Sequence, residues 1–480
     1  MQCRFHIIKV EHSPDTARWS AFTATLMVIL LATPATVSAA ANCGADRLSP
    51  LQARATIAFT QSQVREAHYV SASGSPDPPL TTLAQLSRSV TAPITSAALA
   101  HRINIALGAA RDGHLRLELS PAATINCPSL PLSLAWTDDG ILILPGSDIP
   151  AGARVLSIGG RSLDELEELA AQAIPHENIY WARSAFARQV VRGDGISALG
   201  LADPGGAVAV DYQVAEDAPV HVHLRLTRET RAIRPWVGYE EFKSDSTGLL
   251  WLQRCDPNDE FFKTLAEFVR VLNKDGLRKV VIDLRGNPGG DSSVALAVFH
   301  SLGLTVGRGF SVKVRVSAQL LHDAPMFAPP TMGDAFQAAG LPPPPLDAKQ
   351  YTIPAPLVLG VLQQRLADRA FEVVTGRALY VLTDGGTFSS AALFATLVRD
   401  NKLGTLVGEP TGNAVSFNGS EIERPIPGMA YVLHISTARL LRPDESAGPA
   451  PTLLPDLLAA MTESSLRAGR DPAVEWVRRQ

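Results

Sequence analysis

Two apolar runs that end in glycine turns dominate the hydrophobic pattern of this chain. The first, Val280-Val281-Ile282-Asp283, leads into Leu284-Arg285-Gly286-Asn287-Pro288-Gly289-Gly290. The second, about a hundred residues later, is Leu379-Tyr380-Val381-Leu382-Thr383, followed by Asp384-Gly385-Gly386-Thr387-Phe388-Ser389-Ser390. Short apolar runs of this kind, each stopping at glycines, predict strands. A helix-like stretch follows each, the second being Ala391-Ala392-Leu393-Phe394-Ala395-Thr396-Leu397-Val398. With a strand at Leu249–Gln253 and an amphipathic helix at Asp259–Leu272, the alternation predicts an α/β core from about residue 239.

The periodicity differs upstream. From Ser49 to Arg111 apolar residues recur at spacings of three and four, as in Leu99, Ile103, Ala106 and Leu107, which predicts helices. Leu115-Arg116-Leu117-Glu118-Leu119 alternates strictly and predicts a strand with one buried face. Short strands are expected at Leu132–Trp136 and Ile141–Leu144. From Ile149 to Leu163 the order is turn, strand, Gly159-Gly160 turn and the start of a helix running Asp164–Ala173, with strands near Val208–Val214 and Val220–Leu226 closing the unit. This resembles the core of a PDZ-like module, a type that binds extended peptides at a sheet edge, although a generic β–turn–β–helix unit has the same pattern. Proline-rich residues Ala324 to Pro356, with Pro342-Pro343-Pro344-Pro345, predict a loop-rich insertion, a lid or surface excursion.

Residues 1–41 read as a signal peptide. An apolar core, Leu26-Met27-Val28-Ile29-Leu30-Leu31-Ala32, precedes the small-residue pattern Val37-Ser38-Ala39-Ala40-Ala41, and the run is shorter than the roughly 20 residues of a membrane span. The expected location is periplasmic or secreted, with no integral span after cleavage. The remaining divisions are a helical N-terminal region at 42–128, the PDZ-like module at 129–232 and the α/β core at 233–470 with its insertion near 324–356. Charge is close to balance, 43 Lys+Arg against 47 Asp+Glu, without basic runs, which argues against nucleic acid as a partner. Oxidising conditions allow a disulfide, with Cys43–Cys127 the favoured pair; buried free thiols are the alternative. No Cys-x-x-Cys or His-x-x-x-His cluster supports a metal.

The two glycine turns carry the chemistry. Ser389 follows a strand and a Gly-Gly turn and precedes a helix, so its hydroxyl sits in the positive field of a helix N-terminus. The ordinary job for a serine there is helix N-cap. Ser390 is the reserve candidate. Gly289 and Gly290 allow backbone N–H groups to approach a carbonyl oxygen without Cβ interference. Asp283, Arg285 and Asn287 read as braces of the turn.

Four segments in order, Asp112-Gly113-His114-Leu115, the PDZ-like segment, Asp283–Gly290 and Thr387-Phe388-Ser389-Ser390-Ala391, resemble the carboxy-terminal-processing (tail-specific) serine peptidase family, in its tricorn-core and retinoid-binding-protein-like branch. Val407-Gly408-Glu409-Pro410-Thr411-Gly412 and Pro455-Asp456 also fit. The resemblance implies a ClpP/crotonase-like core, Ser389 as nucleophile, and Gly289, Gly290 and the Ser390 amide as the oxyanion site. The lysine many members carry about 25 residues after the serine is replaced here by Ala414, and Lys402 stands in the wrong part of the pattern. The branch instead implies His114 as base, an imidazole suited to proton transfer near neutrality. Its third member is an acid shortly before the terminal Pro-Asp. Glu445 and Asp444 are the nearest, and Asp112 is a substitute.

The resulting expectation is a peptidase acting on peptide or protein substrates without cofactor or metal, with oligomers left open. A non-cleaving peptide- or ligand-binding pseudoenzyme on the same scaffold is the alternative. Acyl chemistry on a thioester is a third reading that fold alone does not exclude.

Overall fold

The computed structural model describes residues 43–70, 77–228 and 234–480, so the expected signal segment lies outside the described residues. Its centre is a six-stranded sheet whose spatial order is Val237–Phe242, Thr247–Leu252, Lys279–Asp283, Ala378–Thr383, Thr405–Gly408 and Leu457–Leu458. The first pair is antiparallel and the rest are parallel. Val280, Val281 and Ile282 are all fully buried, as the unbroken apolar run predicts for a strand covered on both faces. Helices Asp259–Lys274, Ser293–Ser301 and Ser390–Asp400 contribute Phe268, Val298 and Phe394 to the core on one side. The C-terminal helix Pro472–Arg479 packs Ala473 and Val477 on the other.

A second, antiparallel sheet is built on the long hairpin Phe417–Pro425 and Tyr431–Leu441. Strand Arg116–Leu119 pairs with Tyr431–His434 and thereby docks the N-terminal helices Pro50–Ala67, Pro78–Ser89 and Ser96–Leu107. This pairing carries His114, three residues before Leu117, to the edge of the core. Cys43 and Cys127 are joined as a disulfide, their Cα atoms 5.0 Å apart, while Cys255 is free and buried.

Residues 134–225 form a third sheet, ordered Leu134–Thr137, Gly140–Ile143, Arg154–Ile158, Ala207–Gln213 and Val220–Arg225. Helices Leu163–Ala173, Ile179–Gln189 and Gly193–Leu199 lie between its third strand and the strand beside it. Ser162 and Glu165 start the first of these helices with a capping box.

The proline-rich stretch differs from the loop-rich expectation. Pro329 and Pro330 open helix Pro329–Ala338, because proline's fixed φ and missing N–H are tolerated in a first turn. Met332, Phe336, Tyr351 and Ile353 share a core cluster with Leu99 and Ile103. Only the stretch containing Pro342–Pro345 is irregular. The segment is therefore packed structure against the N-terminal helices.

Candidate active site

The two glycine turns are stitched to each other. The Asp384 carboxylate accepts from the N–H groups of Gly286 (2.8 Å) and Gly386 (2.9 Å), and Thr387 Oγ1 donates to the carbonyl of Leu284 (2.9 Å). The Phe388 N–H donates to the carbonyl of Asn287 (2.9 Å). Asn287, fully buried, reaches Leu252 with its amide and takes the Gly289 N–H on its Oδ1 (2.8 Å). Asp283 and Arg285 form a two-bond pair that Asp471 extends (2.7 Å), so these residues brace the turn.

This bracing sets the backbone of Ser389. Its φ of 51° and ψ of −124° lie in a region that L-residues with a side chain rarely occupy. Although Ser389 precedes helix Ser390–Asp400, its hydroxyl makes no cap hydrogen bond. The cap role that a serine commonly takes there is unfilled, and the hydroxyl faces a cleft. Ser390, by contrast, is tied down: its Oγ donates to the Gly290 carbonyl (2.6 Å) and lies 3.0 Å from Ser292 Oγ. The two adjacent serines are thus in different environments.

The cleft holds about 270 Å³ and is lined by Ser389, Ser390, Gly290, His114, Phe388 and Phe417, with Arg116 and Glu421 on its wall. His114 is 2% exposed and stacked between two phenyl rings, Phe388 at 4.4 Å and Phe417 at 5.6 Å between centroids. Phe388 stacks in turn on Trp181 (3.8 Å) from helix Ile179–Gln189. Among the described residues neither ring nitrogen of His114 has a hydrogen-bond partner. Burial holds the imidazole below its ordinary pKa of 6.5, opposed by the charges of Glu421 and Asp112. His114 is therefore a neutral base at pH 7.

Three carboxylates surround this imidazole. Asp112 is fully buried, and its Oδ1 lies 3.9 Å from His114 Nδ1. Both of its oxygens are engaged: Oδ1 by the His114 backbone N–H (2.8 Å), Oδ2 by His68 (3.1 Å), Asn418 (3.1 Å) and Ser436. Burial raises its pKa, but these bonds and the neighbouring imidazoles outweigh burial and hold it at about 2. Glu421 is paired with Arg116 and with His434 Nδ1 (3.1 Å). Glu177, in the Pro175-His176-Glu177-Asn178 loop, accepts on Oε2 from Asn413 Nδ2 (2.8 Å) and the Ala414 N–H (2.9 Å). Its Oε1 is buried without a partner. Asn413 Oδ1 accepts the backbone N–H of Ser389.

Of the residues singled out in the sequence, Ser389, His114, Gly290 and Ser390 come together. The Gly289 N–H is occupied by Asn287, whereas Gly290 and Ser390 both line the cleft. Glu445 does not line the cleft. It sits on the exposed turn Glu445–Ala447, held away because Arg442 pairs with Asp400 (2.6 Å) and the Asp444 N–H donates to the same carboxylate (3.0 Å). Asp444 itself pairs with Arg308 (2.9 Å). Glu177, Asn413, Phe388 and Phe417 were not anticipated as site residues; the Asn178 helix cap gives the Glu177 loop an ordinary structural reading.

Two groups of described residues bring three potential metal ligands together, and neither fits a metal. Cys43 and Cys127 of the first are joined to each other. In the second, Asp112, His114 and Glu177, both Asp112 oxygens are engaged by hydrogen-bond donors.

A buried imidazole and an unbonded serine hydroxyl on a strained strand–helix turn, sharing one cleft over a parallel sheet, are the parts of a serine hydrolase. Residues 247–458, from the second strand of the central sheet to its last, match the model of peptidase family S41. The chain thus carries a peptidase family S41 domain, and it is a peptidase. Among solved structures, mature CPAF complexed with lactacystin is similar with a TM-score of 0.62 at 13% identity, covering 90% of this chain and 97% of that one. The crystal structure of mature CPAF gives 0.59 at 14% identity, covering 89% and 96%. The photosystem II D1 C-terminal processing protease gives 0.44 at 16%, covering 89% and 96%. At these identities the likeness to CPAF is one of fold. No curated protein matches the chain. Among the described residues no helix is long and apolar enough to cross a membrane.

Proposed function

We propose that this chain is an exported serine endopeptidase that hydrolyses peptide bonds through an acyl-enzyme. The observation that carries the reading is the state of Ser389: a non-glycine residue at positive φ, its hydroxyl released from capping, in the cleft that holds a neutral buried histidine. Strain of this kind costs on the order of 1–3 kcal/mol and persists where the surroundings enforce it.

Ser389 Oγ attacks the scissile carbonyl carbon while His114 takes the hydroxyl proton. The oxyanion is received by the amides of Gly290 and Ser390 at the N-terminus of helix Ser390–Asp400. His114 then returns the proton to the leaving amine, the C–N bond breaks, and an ester to Ser389 remains. Water, deprotonated by His114, hydrolyses that ester and regenerates the serine. The Phe388 and Phe417 rings keep the imidazole in one plane between these tasks.

The core that carries these residues is taken as ClpP/crotonase-like, and residues 129–232 as a PDZ-like module that tethers an extended peptide. A periplasmic or secreted site of action agrees with the apolar leader of residues 1–41 and with the Cys43–Cys127 disulfide. The competing reading is a non-cleaving binder on the same scaffold. It is favoured by Ala414, which leaves no lysine in the slot many relatives use, and by the lack of a bonded orienter on His114.

The test is turnover of an unstructured protein such as casein by the mature chain and its Ser389→Ala variant, purified side by side. Cleavage by the wild type alone supports the peptidase. Binding without cleavage by either would make it a binder.

A further inference from the structure

We infer that Glu177 is the acidic positioning residue of this site: it orients His114 toward Ser389 and, through Asn413, holds the Ser389 backbone. The inference rests on the serine-peptidase reading above. It places the acid on the loop before helix Ile179–Gln189, instead of on the stretch after the long hairpin where Glu445 lies.

A serine–histidine pair needs a third group that fixes the imidazole tautomer and stabilises the imidazolium. Asp112 has both oxygens engaged by donors that tie strand Arg116–Leu119 to the second sheet. Glu421 is engaged by Arg116 and His434. Glu177 alone of the three carries a buried oxygen without a partner, and His114 carries two ring nitrogens without partners. One carboxylate oxygen of Glu177 and one ring nitrogen of His114 lie within 4.8 Å of each other. That gap suits one bridging water, or direct contact when substrate closes the site, since catalytic hydrogen bonds are often long in the unliganded state.

The other oxygen explains why the loop is where it is. Oε2 binds the Asn413 side chain and the Ala414 N–H, and Asn413 Oδ1 receives the N–H of Ser389. One carboxylate thus joins the base to the backbone that presents the nucleophile. The slot where many relatives carry a lysine is occupied by Ala414, whose amide supports this acid.

Electrostatics fit the assignment. Burial and the Asp112 charge push Glu177 up to about 8, against the bonds from Asn413 and Ala414 and the charge of Arg439. An imidazolium formed beside it pulls the carboxyl back toward ionisation, so the group stabilises the protonated His114 of the transition state more than the neutral resting one. The groups facing this carboxyl are Asp112, His114 and Arg439.

The test compares Glu177→Gln and Glu177→Asp with wild type, and Ser389→Ala and His114→Ala as controls, on one peptide substrate across pH 5 to 10. Glutamine keeps an acceptor for Asn413 and Ala414 and removes the charge. The expected result is a kcat lower by roughly 10²–10⁴ for Glu177→Gln with KM within about threefold. Its profile should also lack the rise near pH 8 expected of wild type, and Glu177→Asp should recover at least about tenfold. A Glu177→Gln enzyme with wild-type kcat and pH profile, beside inactive Ser389 and His114 variants, overturns the inference and leaves the peptidase standing. Wild-type turnover by Ser389→Ala or His114→Ala overturns the reading beneath it.

If Glu177→Gln does not fold, nitrogen-labelled histidine in the wild type decides. A downfield His114 ring proton that shifts as pH crosses 8 is expected. Its absence, or a position independent of pH in that range, counts against Glu177.

Discussion

A Cβ atom placed on Gly289 would lie 2.6 Å from the Cβ of Ser389 and 2.8 Å from the Ser390 nitrogen. The glycine also has φ of +104°, outside the range that side-chain-bearing residues favour. Its job is therefore to let the serine turn sit against the first glycine turn, while its N–H is held by Asn287. Gly289→Ala should lower turnover by about 10²-fold or more, because an ångström-scale displacement of a nucleophile has that effect. Steady-state kinetics beside a melting curve will separate this from unfolding; full activity in the alanine variant would mean that the close approach has no catalytic consequence.

Adjacent serines should behave differently. Ser390→Ala removes the 2.6 Å bond to the Gly290 carbonyl and the contact with Ser292, but leaves the Ser390 amide in place. The expected effect is about 1 kcal/mol of stability and less than roughly tenfold in kcat/KM. Denaturant melts and peptide kinetics measure both. A Ser390→Ala protein as inactive as Ser389→Ala would reassign the nucleophile.

The pH dependence has a definite sign on the acid side. Burial lowers the His114 pKa from 6.5, and the Arg116 and His434 charges act the same way, against Glu421 and Asp112. The base thus stays neutral, and competent, at pH values where a free histidine is already half protonated. In Glu177→Gln, where that carboxyl no longer titrates, the kcat/KM profile should keep its plateau through pH 6.5 and fall only below it. A half-maximum at or above about pH 7 in that variant would contradict the burial of this imidazole.

Asp112 predicts an acid-stability effect. Its carboxyl is held at about 2, below the 3.8 of a free aspartate, by His68, His114 and Ser436 in spite of full burial. A depressed folded pKa stabilises the protein above the unfolded value, and that contribution is lost as pH falls from about 4 through 2. It amounts to about 2 kcal/mol. Asp112→Asn, which leaves His68 and Ser436 facing the wrong group, should cost roughly 3 kcal/mol at neutral pH. It should also flatten the stability curve in the acid window, read by chemical denaturation at several pH values. Unchanged stability would mean that the network around this carboxylate is not what docks strand Arg116–Leu119.

The elements around Ser389 were readable because fully buried parallel strands leave continuous apolar runs, and turns that need positive φ leave glycines. His114 was readable only through a family pattern, since nothing local marks a lone histidine before an alternating strand. Glu177 was not readable at all. It precedes Asn178, a good helix cap, and its partner Asn413 is 236 residues away in sequence. Glu445 stands out in the sequence only by its place shortly before the terminal Pro-Asp. Local charges decided otherwise, because Arg442 and the Asp444 amide both close on Asp400. In the stretch after Ala324, prolines read as loop markers actually begin a helix whose apolar face meets the N-terminal core.

The central claim is that Ser389 is a nucleophile activated by His114. Its most direct measurement is the intact mass and adduct site of the mature protein after reaction with a fluorophosphonate, at neutral to mildly alkaline pH, with Ser389→Ala and His114→Ala alongside. One adduct per chain on Ser389, absent in Ser389→Ala and slowed by at least roughly 10³-fold in His114→Ala, is the predicted result. Folded wild-type protein that takes no label, or takes it on another serine, would contradict the account.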